Sequence, residues 1–344
     1  MNYREDIKKA DETRQRYVDG LEALIHKKQK EAAEKRKEYA KKIFEFPEAC
    51  REDLRKMLGW PLVDCVTEGI PFVRRTKLAD EDGYVVHRME FEILDGLFLT
   101  GLYFEMNGEG KRPLVLVQHG GWGTPERISG MYGDTQNYNG MLERVLKQGV
   151  HAFAPQLLVW EKSSEVPCKR KSVDERLKRL GGSITALEIY GLMRILDFFT
   201  AEGKSSAFGM LGLSYGGFYT LFMAALDTRI KAAVSSSYFN TRDRYPWSDW
   251  MWFNHADRFD DAEIACLVYP RKLCIALGTQ DNLFDYESGK EAYEKLLSMS
   301  KGVGSEWLGF WGFEGTHEFP RDDTPITEMV STLFHCESIT NKGE

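Results

Sequence analysis

Ala207-Phe208-Gly209-Met210-Leu211-Gly212-Leu213-Ser214-Tyr215-Gly216-Gly217 runs directly into Phe218-Tyr219-Thr220-Leu221-Phe222-Met223-Ala224-Ala225-Leu226. The first apolar run is short, as a fully buried strand is, and the second has the length of a helix. Between them stands Gly-x-Ser-x-Gly, the pattern of a sharp strand-to-helix turn that lifts its central residue above the sheet edge. Glycines flank the serine because a Cβ at either place would collide with neighbouring backbone. Ser214 is therefore the candidate nucleophile.

Outward from this turn, residues 114–118, 152–155, 232–235, 273–277 and 307–310 are further continuous apolar strands, with helical patterns near 138–147 and 184–200. Buried strands alternating with amphipathic helices imply a mostly parallel sheet covered on both faces. Upstream, 72–76, 84–93 and 97–104 alternate in polarity and are broken by Asp82-Gly83 and Asp95-Gly96, which predicts an antiparallel meander. Residues 1–58 are rich in Lys, Glu, Ala and Arg, with Leu21, Leu24, Ile25, Tyr39, Ile43 and Phe44 as sparse apolar positions. They read as a helical extension with a narrow apolar stripe, through which a homodimer is expected. Residues 59–344 read as one catalytic domain interrupted at 156–182, which is charged, and at 236–263, which is dense in aromatics and is expected to form a lid.

Composition narrows the class of partner. A net charge of −7 over 344 residues argues against nucleic acid. No stretch approaches the ~20 apolar residues of a membrane span, and the opening residues lack the apolar core of a signal peptide, so a cytoplasmic location away from membranes is expected. Six cysteines without a CxxC pair suit reduced thiols. The groups Asp257, Asp260, Asp261 and His317-Glu318 are too sparse to specify a metal centre, and no metal or other cofactor is expected. The basic run from Lys27 to Lys37 is interspersed with Glu31 and Glu34 and reads as a solvated helical face.

A serine hydroxyl is a weak nucleophile at neutral pH and needs a base, which in turn needs an acid to orient it. Gly278-Thr279-Gln280-Asp281 follows one predicted strand and Gly315-Thr316-His317-Glu318 follows the next, both at carboxyl ends where such sheets place their sites. Asp281 and His317 are the candidates, with Asp285 competing for the acid and His255 for the base. The oxyanion needs preorganised N–H donors. Tyr215 is one, and Gly121 and Trp122 in His119-Gly120-Gly121-Trp122-Gly123 are the others, while His119 itself reads as architectural; a side-chain donor such as a tyrosine hydroxyl is the alternative. Trp122, Tyr238, Trp247, Trp250 and Trp252 are the candidate substrate-binding aromatics.

Taken together, His119-Gly120-Gly121, the Ser214 turn, Leu226 to Val234, Tyr269 to Leu273, Gly278 to Asp281 and Gly315 to Glu318 resemble α/β-hydrolases of the acetyl xylan esterase and dienelactone hydrolase-like group. The resemblance spans about residues 50 to 335. It implies an eight-stranded sheet, a triad of Ser214, Asp281 and His317, no cofactor, and a small carbohydrate or other ester as substrate, here a short acyl group such as acetyl on a carbohydrate or aryl alcohol. The chain departs from the group in lacking the Arg-Gly-Gln segment, the Gly-x-Ser-Gln-Gly turn and a cysteine nucleophile. Two other readings stand beside it. One is a serine peptidase resembling prolyl oligopeptidases, for whose propeller the first ~110 residues are too few; the other is a catalytically silent scaffold.

Overall fold

A computed structural model describes residues 4–63, 68–158, 169–245 and 247–340. The strands are β1 Val73–Glu81, β2 Tyr84–Leu94, β3 Leu97–Met106, β4 Arg112–Gln118, β5 His151–Pro155, β6 Ser205–Leu213, β7 Ile230–Ser236, β8 Lys272–Gly278 and β9 Leu308–Phe313. The helices are α1 Ile7–Ile43, α2 Pro47–Leu58, α3 Pro125–Ile128, α4 Met141–Leu146, α5 Arg170–Lys178, α6 Ile184–Glu202, α7 Tyr215–Leu226, α8 Asp261–Cys266, α9 Tyr286–Met299 and α10 Thr324–Thr340. The strands form one sheet in the order β1-β2-β3-β5-β4-β6-β7-β8-β9. β1, β2, β3 and β5 pair antiparallel, and from β5 to β9 every pairing is parallel.

The sheet has nine strands rather than eight, because the outermost, β1, pairs along almost the whole of β2. β4 and β6 show why the central strands are apolar throughout. Leu114, Leu116, Phe208 and Met210 enter the core shared with α2, α6, α7 and α8, whereas Val115, Val117, Leu211 and Leu213 enter the opposite core under α4 and α10. Side chains alternate between two covered faces, so neither face can be polar.

The amino-terminal extension divides in two. α1 is a single 37-residue helix in which only Ala32, Ala40 and Ile43 are buried. α2 is no appendage: Cys50, Leu54 and Leu58 belong to the main core, and buried Arg51 donates to the carbonyls of Ala225 and Leu267. Cys50 and Cys266 are buried and Cys274 and Cys336 half-buried; Cys65 and Cys168 lie outside the described residues. No helix among the described residues is long and apolar enough to cross a membrane.

At the β3–β5 seam the Met106 amide donates to Nδ1 of buried His151, and burial pushes that imidazole down to about 4 from an ordinary 6.5. The unfolded chain therefore takes up a proton that the native state refuses, so the stabilisation is complete above pH 6.5 and is lost as pH falls from 6.5 toward 4. Urea midpoints measured at pH 7.5 and pH 5 should fall on acidification in the native protein and fall less in His151→Gln.

Candidate active site

Ser214 occupies the turn between β6 and α7 with φ 61° and ψ −119°. Its amide donates to the Ser236 carbonyl at 2.9 Å, and its own carbonyl accepts from Phe218 at 2.9 Å, so both backbone sides of a strained residue are tied down. A Cβ on Gly216 would lie 2.2 Å from the Gln118 carbonyl oxygen, and one on Gly212 would lie 2.5 Å from the Gly216 backbone. The two glycines of the motif are thus required by the close approach of β4, β6 and α7.

The loops after β8 and β9 bring the candidate acid and base together. Nδ1 of His317 lies 2.9 Å from Oδ2 of Asp281. Oδ1 of Asp281 accepts the amides of Leu283 and Phe284 at 2.8 and 2.9 Å, which points the other oxygen at the imidazole. The His317 loop is held in turn: Asn137 donates to the His317 carbonyl at 3.0 Å and Ser237 to the Glu318 carbonyl at 3.0 Å. Asp285 does something else, accepting the Ser288 amide at 2.8 Å to cap α9 and pairing with Arg244 at 3.2 Å. His255 packs on Trp252 and contacts its carbonyl, and burial lowers its pKa.

The loop after β4 closes the other side. Gly120 approaches Ser214 so closely that a Cβ there would sit 3.1 Å from the serine Cβ. Gly120 to Gly123 is a tight turn, closed by the Gly123 amide on the Gly120 carbonyl, with Trp122 at φ 63°. A tryptophan in the left-handed region is costly, and such strain concentrates at functional turns. His119 is fully buried, with Nδ1 2.9 Å from the Gly120 carbonyl and Nε2 accepting the Leu157 amide at 3.4 Å, an architectural role.

The 236–263 insertion is placed differently from expectation. Tyr238, Trp250 and Trp252 are only 2, 3 and 6% exposed. Trp250 is packed by Tyr215, Phe218, Tyr238 and Trp247, and Trp252 lies on Phe218 and Phe222. Their faces are filled by core rings, so these three are not the walls of a pocket as the sequence suggested. Half-buried Trp247 stacks on Tyr215, and Trp122 is 43% exposed. Phe284 was not anticipated: it touches Trp247 and Trp250 on one side and stacks on His317 at 5.6 Å on the other. Its position three residues after Asp281 was the one available signal.

Among the described residues no three metal-ligating side chains gather. Asp257 pairs with Lys35, Asp260 caps α8, and Asp261 accepts from Tyr238 and Arg242. A cavity of about 530 Å³ lies at the amino ends of β7 to β9 beside α10, the edge opposite Ser214.

No family model and no curated protein matches this chain. Solved structures do. A Bacteroides fragilis NCTC 9343 protein assigned as an acetyl xylan esterase superposes with a TM-score of 0.65 at 17% identity, covering 85% of this chain and 83% of that one. A glucuronoyl esterase from Solibacter usitatus gives 0.60 at 13% identity, covering 84% and 91%. Acetyl xylan esterase 1 from Thermoanaerobacterium sp. JW/SL YS485 gives 0.58 at 13%, covering 83% and 92%. The fold is that of an α/β-hydrolase.

Behind Ser214, the candidate nucleophile of this α/β-hydrolase fold, lies a buried charge network that sequence reasoning missed. Arg170 is wholly buried; it donates to Asp249 at 2.8 Å, Glu188 at 2.9 Å and the Tyr219 hydroxyl at 2.6 Å. Tyr219 also bonds Glu188, and the Tyr215 hydroxyl donates to Asp249 at 3.0 Å. Burial alone would lower the guanidinium pKa, but Glu188, Tyr219 and Asp249 raise it well above its ordinary value, and burial raises the phenol of Tyr215. The network joins α5, α6, α7 and the aromatic insertion. Arg170→Met leaves two buried carboxylates without their cation and should cost about 3–5 kcal/mol, read as a loss of unfolding free energy in chemical denaturation.

Proposed function

We propose that this protein is a serine-dependent carboxylic-ester hydrolase. The observation that carries the proposal is the Asp281–His317 pair, assembled at the same sheet edge as a serine held at φ 61°. Ser214 Oγ attacks the acyl carbonyl while His317 takes its proton through Nε2. Asp281 fixes the tautomer and stabilises the imidazolium. The amide of Tyr215, with those of Gly121 and Trp122, receives the developing oxyanion. Collapse of the tetrahedral intermediate breaks the C–O bond, and the alcohol leaves with the proton from His317. Water then attacks the acyl-Ser214 ester, giving its proton to His317, and the acid departs as Ser214 is restored.

For the substrate we favour a short acyl group, such as acetyl, on a carbohydrate or aryl alcohol. Exposed Trp122 offers a ring face at the mouth of the site, and Tyr132, 71% exposed, lines a cavity of about 360 Å³ with Arg127, whose guanidinium donates to the Trp122 carbonyl. Such rings stack on sugar or aryl groups. The acetyl xylan esterases among the similar folds support this class, and Ser214, only 7% exposed, suits a small acyl chain better than a long one. The net charge of −7 and the absence of a spanning helix among the described residues support a cytoplasmic enzyme of small esters.

A series of p-nitrophenyl esters from acetyl to decanoyl tests both parts. Acetyl or butyryl should be hydrolysed best. Ser214→Ala should lower kcat by about 10⁴-fold or more and Asp281→Asn by about 10⁴-fold, whereas Asp285→Asn should retain native kcat. Hydrolysis surviving Ser214→Ala would overturn the mechanism, and a decanoyl optimum would overturn the acyl assignment alone.

A further inference from the structure

Between Ile7 and Lys30, α1 contains no buried residue. Its anchorage comes later, where Lys35 pairs with Asp257, Arg36 donates to the Ala256 carbonyl and Tyr39 packs on Phe259. The free portion is about 36 Å long at 1.5 Å per residue. Most helical stability in proteins comes from packing an amphipathic face, which this portion lacks within the chain. The Asp6 cap and solvent-exposed pairs such as Asp11–Arg14 and Lys28–Glu31 give it only local support.

The free portion also carries an uncovered apolar face. Ile7, Tyr17, Val18, Leu21, Leu24 and Ile25 are 39 to 71% exposed. At ~100° per residue they fall within one arc of about 120°, the width of a face that packs against another element. Charge is distributed unevenly along the same helix. Asp11, Glu12, Asp19 and Glu22 make residues 11–22 net acidic, whereas Lys27, Lys28 and Lys30 make the following stretch basic.

We infer that this face is covered by the same face of a second copy of the chain, running antiparallel about a two-fold axis. With Val18 set against Leu21 of the second copy, Asp11 at the border of the face falls level with Lys28 of that copy, and the pair is made twice. In this register Ile7 reaches the level of Ala32 of the second copy, the first residue buried against the catalytic body. The paired length therefore matches the free length. A parallel pair would instead set Asp11 against Asp11 and Lys28 against Lys28. The self-complementary patch is isologous, as a two-fold dimer requires, and it leaves Ser214 to act independently in each copy.

Sedimentation velocity of the full chain from 1 to 100 µM tests this. The native protein should sediment at twice 39.5 kDa. Val18→Glu with Leu21→Glu, both at exposed positions, should raise the dissociation constant at least about tenfold and leave ester hydrolysis unchanged. Reversing Asp11 to Lys should weaken the dimer, and adding Lys28→Glu should restore it. A native monomer at 100 µM, a dimer indifferent to the Val18 and Leu21 changes, or a charge swap that restores nothing would each overturn the inference.

Discussion

A serine held at φ 61° and ψ −119° persists only where its surroundings leave the backbone no easier choice. Here the constraint comes from three directions. β7 takes the Ser214 amide, α7 takes its carbonyl, and β4 passes so close that Gly216 admits no side chain. The central strands must be apolar and covered on both faces for that approach to be possible. The position of Ser214 is thus a product of the whole sheet rather than of the short motif around it.

The loops that complete the site are held by equally specific devices. Two backbone amides on one Asp281 oxygen turn the other toward His317, and Phe284 backs the imidazole with its ring. Phe284 touches Trp247, which stacks on Tyr215, the residue after the nucleophile. A line of rings therefore runs from the base to the start of α7. The 236–263 insertion packs on Tyr215 and Phe284 and so braces the candidate site, with Met251 and Phe253 its exposed large apolar side chains among the described residues. Two buried cations, Arg170 and Arg242, anchor the brace: Arg170 bonds Asp249, and Arg242 bonds Asp261 and the Trp250 carbonyl.

What could be read in the sequence follows from how local each signal is. The parallel strands were legible because burial on both faces removes polar residues from short contiguous runs. The Ser214 turn was legible because its geometry demands glycines at fixed offsets. The choice between Asp281 and Asp285 was partly open, since both follow the same strand; the structure separates them because Asp285 is spent on capping α9. The burial of Tyr238, Trp250 and Trp252 was not legible because composition reveals rings but not which faces they turn inward. Arg170, Glu188 and Asp249 lie in three separate segments, and only the folded chain brings them within hydrogen-bonding distance. The count of eight came from the resemblance, whereas the residue pattern had already marked 72–76, the start of β1, as a ninth strand.

The central claim is that the fold makes Ser214 uniquely nucleophilic through His317. Treating the protein with a fluorophosphonate and mapping the adduct by mass spectrometry tests it most directly. The account predicts one phosphonyl group, on the peptide containing Ser214, formed about a thousandfold more slowly in His317→Ala. An adduct on another residue, or labelling of Ser214 at an undiminished rate without His317, would contradict it.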